Sequence, residues 1–175
     1  LYGHKNTHEI SLKNVIQHTE SVKMGTSKSL LVVDMPKGSY NNIRIAKKNA
    51  KMVMKKTKCD AIKIESNGKN FKIIRELVKK KIPVMGHIGY TPQFKKNFKV
   101  EGVSKLDILK LLKEANYIQK AGAFSVVLEC ISTKAAKIIT KELEIPTIGI
   151  GSSLYCDGQI LVTDDMLGIS GFYPK

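Results

Sequence analysis

Short apolar runs alternate along this chain with longer segments of helical periodicity. Residues 29–34 (SLLVVD), 61–65 (AIKIE), 82–87 (IPVMGH), 124–129 (FSVVLE), 146–151 (PTIGIG) and about 159–162 are too short for ordinary helices. Gly, Pro and polar turns bound them, so they read as strands. Between them, 12–22 shows Leu12, Val15, Ile16 and Thr19 on one helical face, with Ser11 as N-cap and Gly25 as stop. A second helix, 42–56, places Ile45, Ala46, Ala50, Val53 and Met54 at helical spacing, and a third covers about 71–80. Ser104 caps a helix over 105–120, whose broad apolar side comprises Leu106, Ile108, Leu109, Leu112, Ala115, Ile118 and Ala121. A helix over about 133–143 and a short segment at 166–169 follow, while residues 1–7 read as polar and irregular.

This alternation predicts an α/β fold, a parallel sheet covered by helices, and the uninterrupted apolar strands imply burial on both faces. An open doubly wound sheet and a (β/α)8 barrel (TIM barrel) both satisfy the pattern. Polar residues at the end of nearly every strand favour the barrel, whose active site gathers side chains from many strands. A barrel needs eight strands and about 250 residues. Six strands are read here, so on that reading this single barrel domain, 1–175, lacks two strands of the complete fold.

The strand ends carry the candidate chemistry. Residues 82–93 (IPVMGHIGYTPQ) deliver His87 into a turn rich in Gly and Pro, and Asp34, Glu65 and Glu129 end three other strands. Lys63, two residues before Glu65, projects to the same face. Asp34, Lys63, Glu65, His87, Glu129 and Asp165 around one mouth would supply hard oxygen ligands suited to Mg2+, with Asp34 and Glu65 as the candidate pair. Such a metal polarises a carbonyl and stabilises an enolate while a separate carboxylate removes the neighbouring proton. Lys63 could bind a substrate anion or, if desolvated, form a Schiff base. Plainer roles exist for the same residues: Asp34 as a turn cap, Lys63 with Glu65 as a structural ion pair, His18 as a hydrogen-bonded histidine near the buried side of its helix. Glu129 ends a very apolar strand, where an unpaired carboxylate is expensive. The Gly149, Gly151 turn lacks the GxGxxG spacing of a phosphate cradle.

Composition narrows the partners. With 175 residues, 42% of them hydrophobic, the chain can bury one sizeable core. Its net charge of +15 invites a nucleic-acid reading, but Arg44 and Arg75 are its arginines and the other positive charges are lysines. Lysine lacks the bidentate fork that reads bases and clamps phosphates. The lysines lie on helix faces without interleaved aromatics, which fits a solvated surface and attraction of small anions, with no nucleic-acid partner. Cys59, Cys130 and Cys156 are odd in number and dispersed, so neither a disulfide framework nor a zinc knuckle is expected. No apolar run approaches the roughly 20 residues of a membrane span, and the opening residues lack a signal-peptide core. A cytoplasmic, reducing location without membrane association is expected.

The chain resembles the 3-methyl-2-oxobutanoate hydroxymethyltransferase (ketopantoate hydroxymethyltransferase) family. The stretches that carry the likeness are Val33-Asp34-Met35-Pro36 with Ser39-Tyr40, Ile62-Lys63-Ile64-Glu65, PVMGHIGYTPQ (83–93), AGAFSVVLEC (121–130), IPTIGIG (145–151) and CDGQILV (156–162), in the family's order. The resemblance covers about 1–168. It implies a (β/α)8 barrel that transfers a hydroxymethyl group from 5,10-methylenetetrahydrofolate to 3-methyl-2-oxobutanoate, giving 2-dehydropantoate in pantothenate synthesis. Mg2+ is the implied metal, and assembly as a homo-oligomer is implied too. By the same resemblance Asp34 is a metal ligand that also contacts the substrate, and Glu65 is the carboxylate near the metal. Lys63 and His87 bind substrate, and Glu129 is the catalytic base. Several positions depart from the family pattern. An Asp-Ser-Leu-Gly strand end carrying another metal aspartate would lie upstream of Leu1, and the segment after Gly168 is shortened. Ser66-Asn67 replaces two glycines, Ser152-Ser153 replaces Ala-Gly, Asp164 replaces a histidine, Lys37 is an unusual charge, and the 88–102 loop is shorter. Two alternatives stand beside this reading: a related Mg2+-dependent 2-oxo acid lyase, and a catalytically impaired homologue serving as a binding or assembly subunit.

Overall fold

The computed structural model describes residues 7–169. The segment expected to be polar and irregular lies outside these residues except for Thr7, which opens a short 3-10 turn, Thr7–Glu9. The helices are α1 (Leu12–Gly25), α2 (Ile43–Thr57), α3 (Phe71–Val78), α4 (Lys105–Lys120), α5 (Thr133–Glu142) and α6 (Thr163–Met166). The strands are β1 (Val32–Asp34), β2 (Ala61–Glu65), β3 (Val84–Gly89), β4 (Ser125–Glu129), β5 (Thr147–Ile150) and β6 (Gly158–Gln159). Side-chain oxygens of Ser11, Asn42, Ser104 and Ser132 each accept a backbone N–H of the first helical turn, which fixes where four helices begin. Among the described residues no helix is long and apolar enough to cross a membrane.

All six strands are parallel and lie in chain order, β1 to β6, across one sheet. An open doubly wound sheet reverses its order part-way. Sequential order throughout is that of a (β/α)8 barrel, of which the described residues supply six strands.

The register decides which face is which. Partners in a parallel pair point the same way, and side chains alternate along each strand. Ile62, Ile64, Val84, Ile88, Val126 and Leu128 therefore share the face covered by helices, and all six are fully buried. On this face a Cβ at Gly86 would fall 2.4 Å from Ile118 Cγ2, so α4 lies directly against the β3 backbone. Asp34, Lys63, Glu65, His87 and Glu129 share the other face.

Four expectations need correction. Burial is not complete on both faces: the helix-covered side chains of β2 to β4 are buried throughout, whereas Lys63, Met85, Ile148 and Ile150 on the opposite face are half-buried. β1 is three residues rather than six, because Leu31 already turns its N–H to the Asp60 carboxylate. The strand read at 159–162 is Gly158–Gln159, and Ile160, Leu161 and Val162 are exposed beyond it, since among the described residues β6 is the sheet edge and has a neighbour on one side. On α4 the buried stripe is Ile108, Leu111, Ala115 and Ile118, and Leu106 and Leu109, well round the helix from it, face solvent.

Candidate active site

Four adjacent strand ends carry one continuous run of polar groups. Lys63 Nζ lies 3.1 Å from Asp34 Oδ2 on β1 and 3.5 Å from His87 Nδ1 on β3. His87 Nε2 in turn lies 3.1 Å from Glu129 Oε2 on β4. An ammonium only donates, so His87 Nδ1 accepts and the imidazole proton sits on Nε2, facing Glu129. That approach is at ion-pair distance but off the hydrogen-bonding direction. Nε2 is left buried without a hydrogen-bond partner among the described residues.

Burial differs sharply along the run. His87 is 0% exposed, whereas the Glu129 and Asp34 side chains are 22% and 53% exposed. Glu129 and Asp34 can meet a ligand in the mouth, whereas His87 lies just behind them, covered.

Glu65 sits behind the run, 2% exposed, with Oε2 accepting the Gln93 backbone N–H at 2.9 Å. Burial pushes its carboxyl up to about 7; the Asp34 and Glu129 charges add to this, against the Gln93 N–H and Lys63. Three carboxylates face one ammonium here, and the mouth is short of positive charge. Among the described residues no group of three or more His, Cys, Asp or Glu is placed to hold a metal ion. Two carboxylates completed by water and substrate are nevertheless a normal Mg2+ environment, so Asp34 and Glu65 fit such an ion.

Of the six residues that the sequence gathers around one mouth, Asp34, Lys63, Glu65, His87 and Glu129 come together. The run ends at Glu129 and does not extend to Asp165, which lies on α6 beyond the edge strand. The space over Gly149 is no phosphate cradle: a Cβ there would meet the Gln159 amide at 2.8 Å and Cys156 Sγ at 3.1 Å.

Other contacts had no counterpart in the sequence reading. Ser66, where a glycine was expected, donates from its hydroxyl to Glu114 Oε1 and so ties the end of β2 to α4. Lys37 lies 3.2 Å from His8 Nδ1, and His8 Nε2 lies 3.0 Å from the Pro92 carbonyl, so these three join the loop after β1 to the loop after β3. Tyr40 and Gln93 pack beneath the mouth. Both stand in motifs quoted above, yet only the fold shows what they touch.

Gly89 sets the position of Glu129. Its φ is +92°, and an added Cβ would lie 2.2 Å from the Glu129 carbonyl and 2.7 Å from Ile131 Cγ1. That carbonyl also accepts the Tyr90 N–H at 2.8 Å. Gly89→Ala combines a disfavoured φ with a backbone clash, and urea denaturation is expected to show a loss of roughly 2–4 kcal/mol. A loss well under about 1 kcal/mol would mean that the turn relaxes freely.

Comparison with known proteins gives the family and supports the fold. The family model for ketopantoate hydroxymethyltransferase matches residues 1–175. A 3-methyl-2-oxobutanoate hydroxymethyltransferase of Pelagibacter ubique (strain HTCC1062) is 49% identical, over 97% of this chain and 66% of the relative. One from Clostridium botulinum (strain Alaska E43 / Type E3) is 45% identical over 99% of this chain and 65% of the relative, and one from Clostridioides difficile (strain 630) is also 45% identical. The chain thus spans just under two thirds of the length of these relatives. Among solved structures, 2,3-dimethylmalate lyase, a PEP mutase/isocitrate lyase superfamily member, superposes with a TM-score of 0.70 at 13% identity, over 95% of this chain and 64% of that one. Phosphoenolpyruvate phosphomutase from Streptomyces platensis subsp. rosaceus gives 0.67 at 12% identity, over 94% of this chain and 66% of that one. At these identities the likeness concerns the fold alone. With the model matched from end to end and relatives near half identical, the chain belongs to the ketopantoate hydroxymethyltransferase family.

Proposed function

We propose that this chain carries the catalytic face of a Mg2+-dependent enzyme that transfers a hydroxymethyl group from 5,10-methylenetetrahydrofolate to 3-methyl-2-oxobutanoate, giving 2-dehydropantoate. The observation that carries the reading is the run Asp34, Lys63, His87, Glu129, with a buried imidazole N–H left unpartnered beside an accessible carboxylate. A buried donor without a partner is costly, and a substrate oxygen in the mouth would satisfy it.

In this reading Asp34 and Glu65 hold the cation, which when bound withdraws electrons from the keto acid carbonyl and acidifies its C3–H. Lys63 receives the keto acid carboxylate, exchanging part of its contact with Asp34 for the substrate anion. Glu129, the more exposed of the two carboxylates at the ends of β2 and β4, takes the C3 proton. Water adds to the folate methylene carbon and both of its C–N bonds break, the two water protons going to the nitrogens of tetrahydrofolate, which leaves. C3 then bonds to the freed one-carbon carbonyl, whose oxygen becomes the hydroxyl by taking the proton held on Glu129. His87 presents Nε2–H to the oxygen of the new hydroxymethyl group. The positive surface favours approach of both anionic substrates.

The direct test is formation of 2-dehydropantoate by the purified chain. Turnover is expected to need the keto acid, the folate and Mg2+ together. Folded, Mg2+-loaded chain that forms no product from both substrates would contradict the proposal.

A further inference from the structure

The Glu65 carboxylate depends on a residue 28 positions away. Its Oε2 is held by the backbone N–H of Gln93, in the loop after β3. That N–H is itself placed by the Gln93 side chain, which is 5% exposed and uses both ends of its amide. Nε2 donates to the Met35 carbonyl at 2.9 Å, and Oε1 accepts the Tyr40 hydroxyl at 2.6 Å. The amide orientation follows from its partners, because a carbonyl can only accept.

Each partner belongs to a different part of the mouth. Met35, 0% exposed, follows Asp34 directly; Tyr40, 4% exposed, lies between β1 and α2; Glu65 ends β2. Thr91 shapes the loop from below, its carbonyl accepting the N–H groups of Phe94 and Lys95, both at 2.9 Å. We propose that Gln93 is a positioning residue for divalent-cation binding: one amide fixes the loop that holds Glu65 and the backbone that carries Asp34, so both carboxylates are presented together. The role rests on the proposed function, in which those two groups hold the cation.

The chemistry restricts what can stand at position 93. Asparagine is one methylene too short to reach Met35 and Tyr40 at once. Glutamate would set an acceptor against the Met35 carbonyl and a second charge close to Glu65. Leucine keeps the volume and the backbone N–H but leaves the Tyr40 hydroxyl and Met35 carbonyl buried without this partner.

The test uses Mn2+ as the probe, bound to the whole chain and followed by the electron paramagnetic resonance of the free ion, with far-UV circular dichroism confirming the fold. Gln93→Leu is expected to weaken Mn2+ binding by 10- to 100-fold, as loss of an outer-shell partner does. Tyr40→Phe, which removes one arm of the clamp, is expected to weaken it less and still to fold. The double variant should be no worse than Gln93→Leu alone, because both act through the same amide. A merely structural role would lower the melting temperature and leave the affinity of the folded protein unmoved. Wild-type affinity in folded Gln93→Leu and Tyr40→Phe, with Glu65→Gln impaired, overturns the role of Gln93. Wild-type affinity in Glu65→Gln overturns the cation site beneath it.

Discussion

Glu129→Gln is expected to slow the exchange of the C3 hydrogen of 3-methyl-2-oxobutanoate with deuterium oxide by roughly 10²- to 10⁴-fold, the usual contribution of a positioned general base. The amide is nearly isosteric and stays beside His87 Nε2, 3.1 Å away in the unaltered chain, but it cannot accept a proton at neutral pH. Without folate, exchange isolates the deprotonation step. It is read directly by proton magnetic resonance, because the methyl doublet collapses as C3–H becomes C3–D. Exchange at the wild-type rate in Glu129→Gln would remove this carboxylate from the mechanism.

Replacing Glu65 by glutamine is expected to stabilise the metal-free chain at pH 8 by on the order of 3 kcal/mol. The folded chain holds the Glu65 proton up to about pH 7, whereas an unfolded carboxyl releases it near 4.5. Between those values the unfolded state binds fewer protons than the folded state, so stability falls as pH rises. The proton-linked contribution is complete below about 4.5 and is lost by the time pH passes about 7. Glutamine removes the buried charge and can still accept the Gln93 N–H. In buffer with chelator, the two proteins should unfold at similar urea concentrations near pH 4, diverge progressively between about pH 4.5 and 7, and differ by a constant amount above that. A pH-independent difference, or a variant less stable at pH 8, would show that the carboxylate is not strained by its burial. The stability gained should be matched by weaker cation binding, a trade-off common where a site keeps a desolvated charge for function.

Much of this was legible in the chain because local physics coincides with the fold. α4 spans the predicted 105–120, since Ser104 both reads and acts as an N-cap. β2 and β4 are short, mostly apolar runs that end in carboxylates, and those carboxylates lie at the mouth. Period-two alternation alone puts Lys63 and Glu65 on one face, and the register keeps them there.

What could not be read was set by separation in sequence or by missing neighbours. Gln93 meets Tyr40 across 53 residues and Met35 across 58, and nothing local in Thr-Pro-Gln announces either contact. The residues 160–162 have strand-like composition but pair little, because strand length at an edge depends on what lies alongside. Leu106 and Leu109 appeared part of a buried side since their apolar character says nothing about which of two candidate stripes faces the sheet. Gly149 and Gly151 gave the outline of a loop without showing that Gln159 and Cys156 fill the space above Gly149.

The central claim is that one mouth, formed by the ends of β1 to β4, binds the keto acid with its C3 hydrogen turned to Glu129. A crystal structure of the chain with Mg2+ and 3-methyl-2-oxobutanoate tests this most directly. The predicted result is the substrate carboxylate on Lys63, the cation between substrate and the carboxylates of Asp34 and Glu65, and C3 within reach of Glu129. Substrate bound on the helix-covered side of the sheet, or in the mouth with C3 turned away from Glu129, would contradict it.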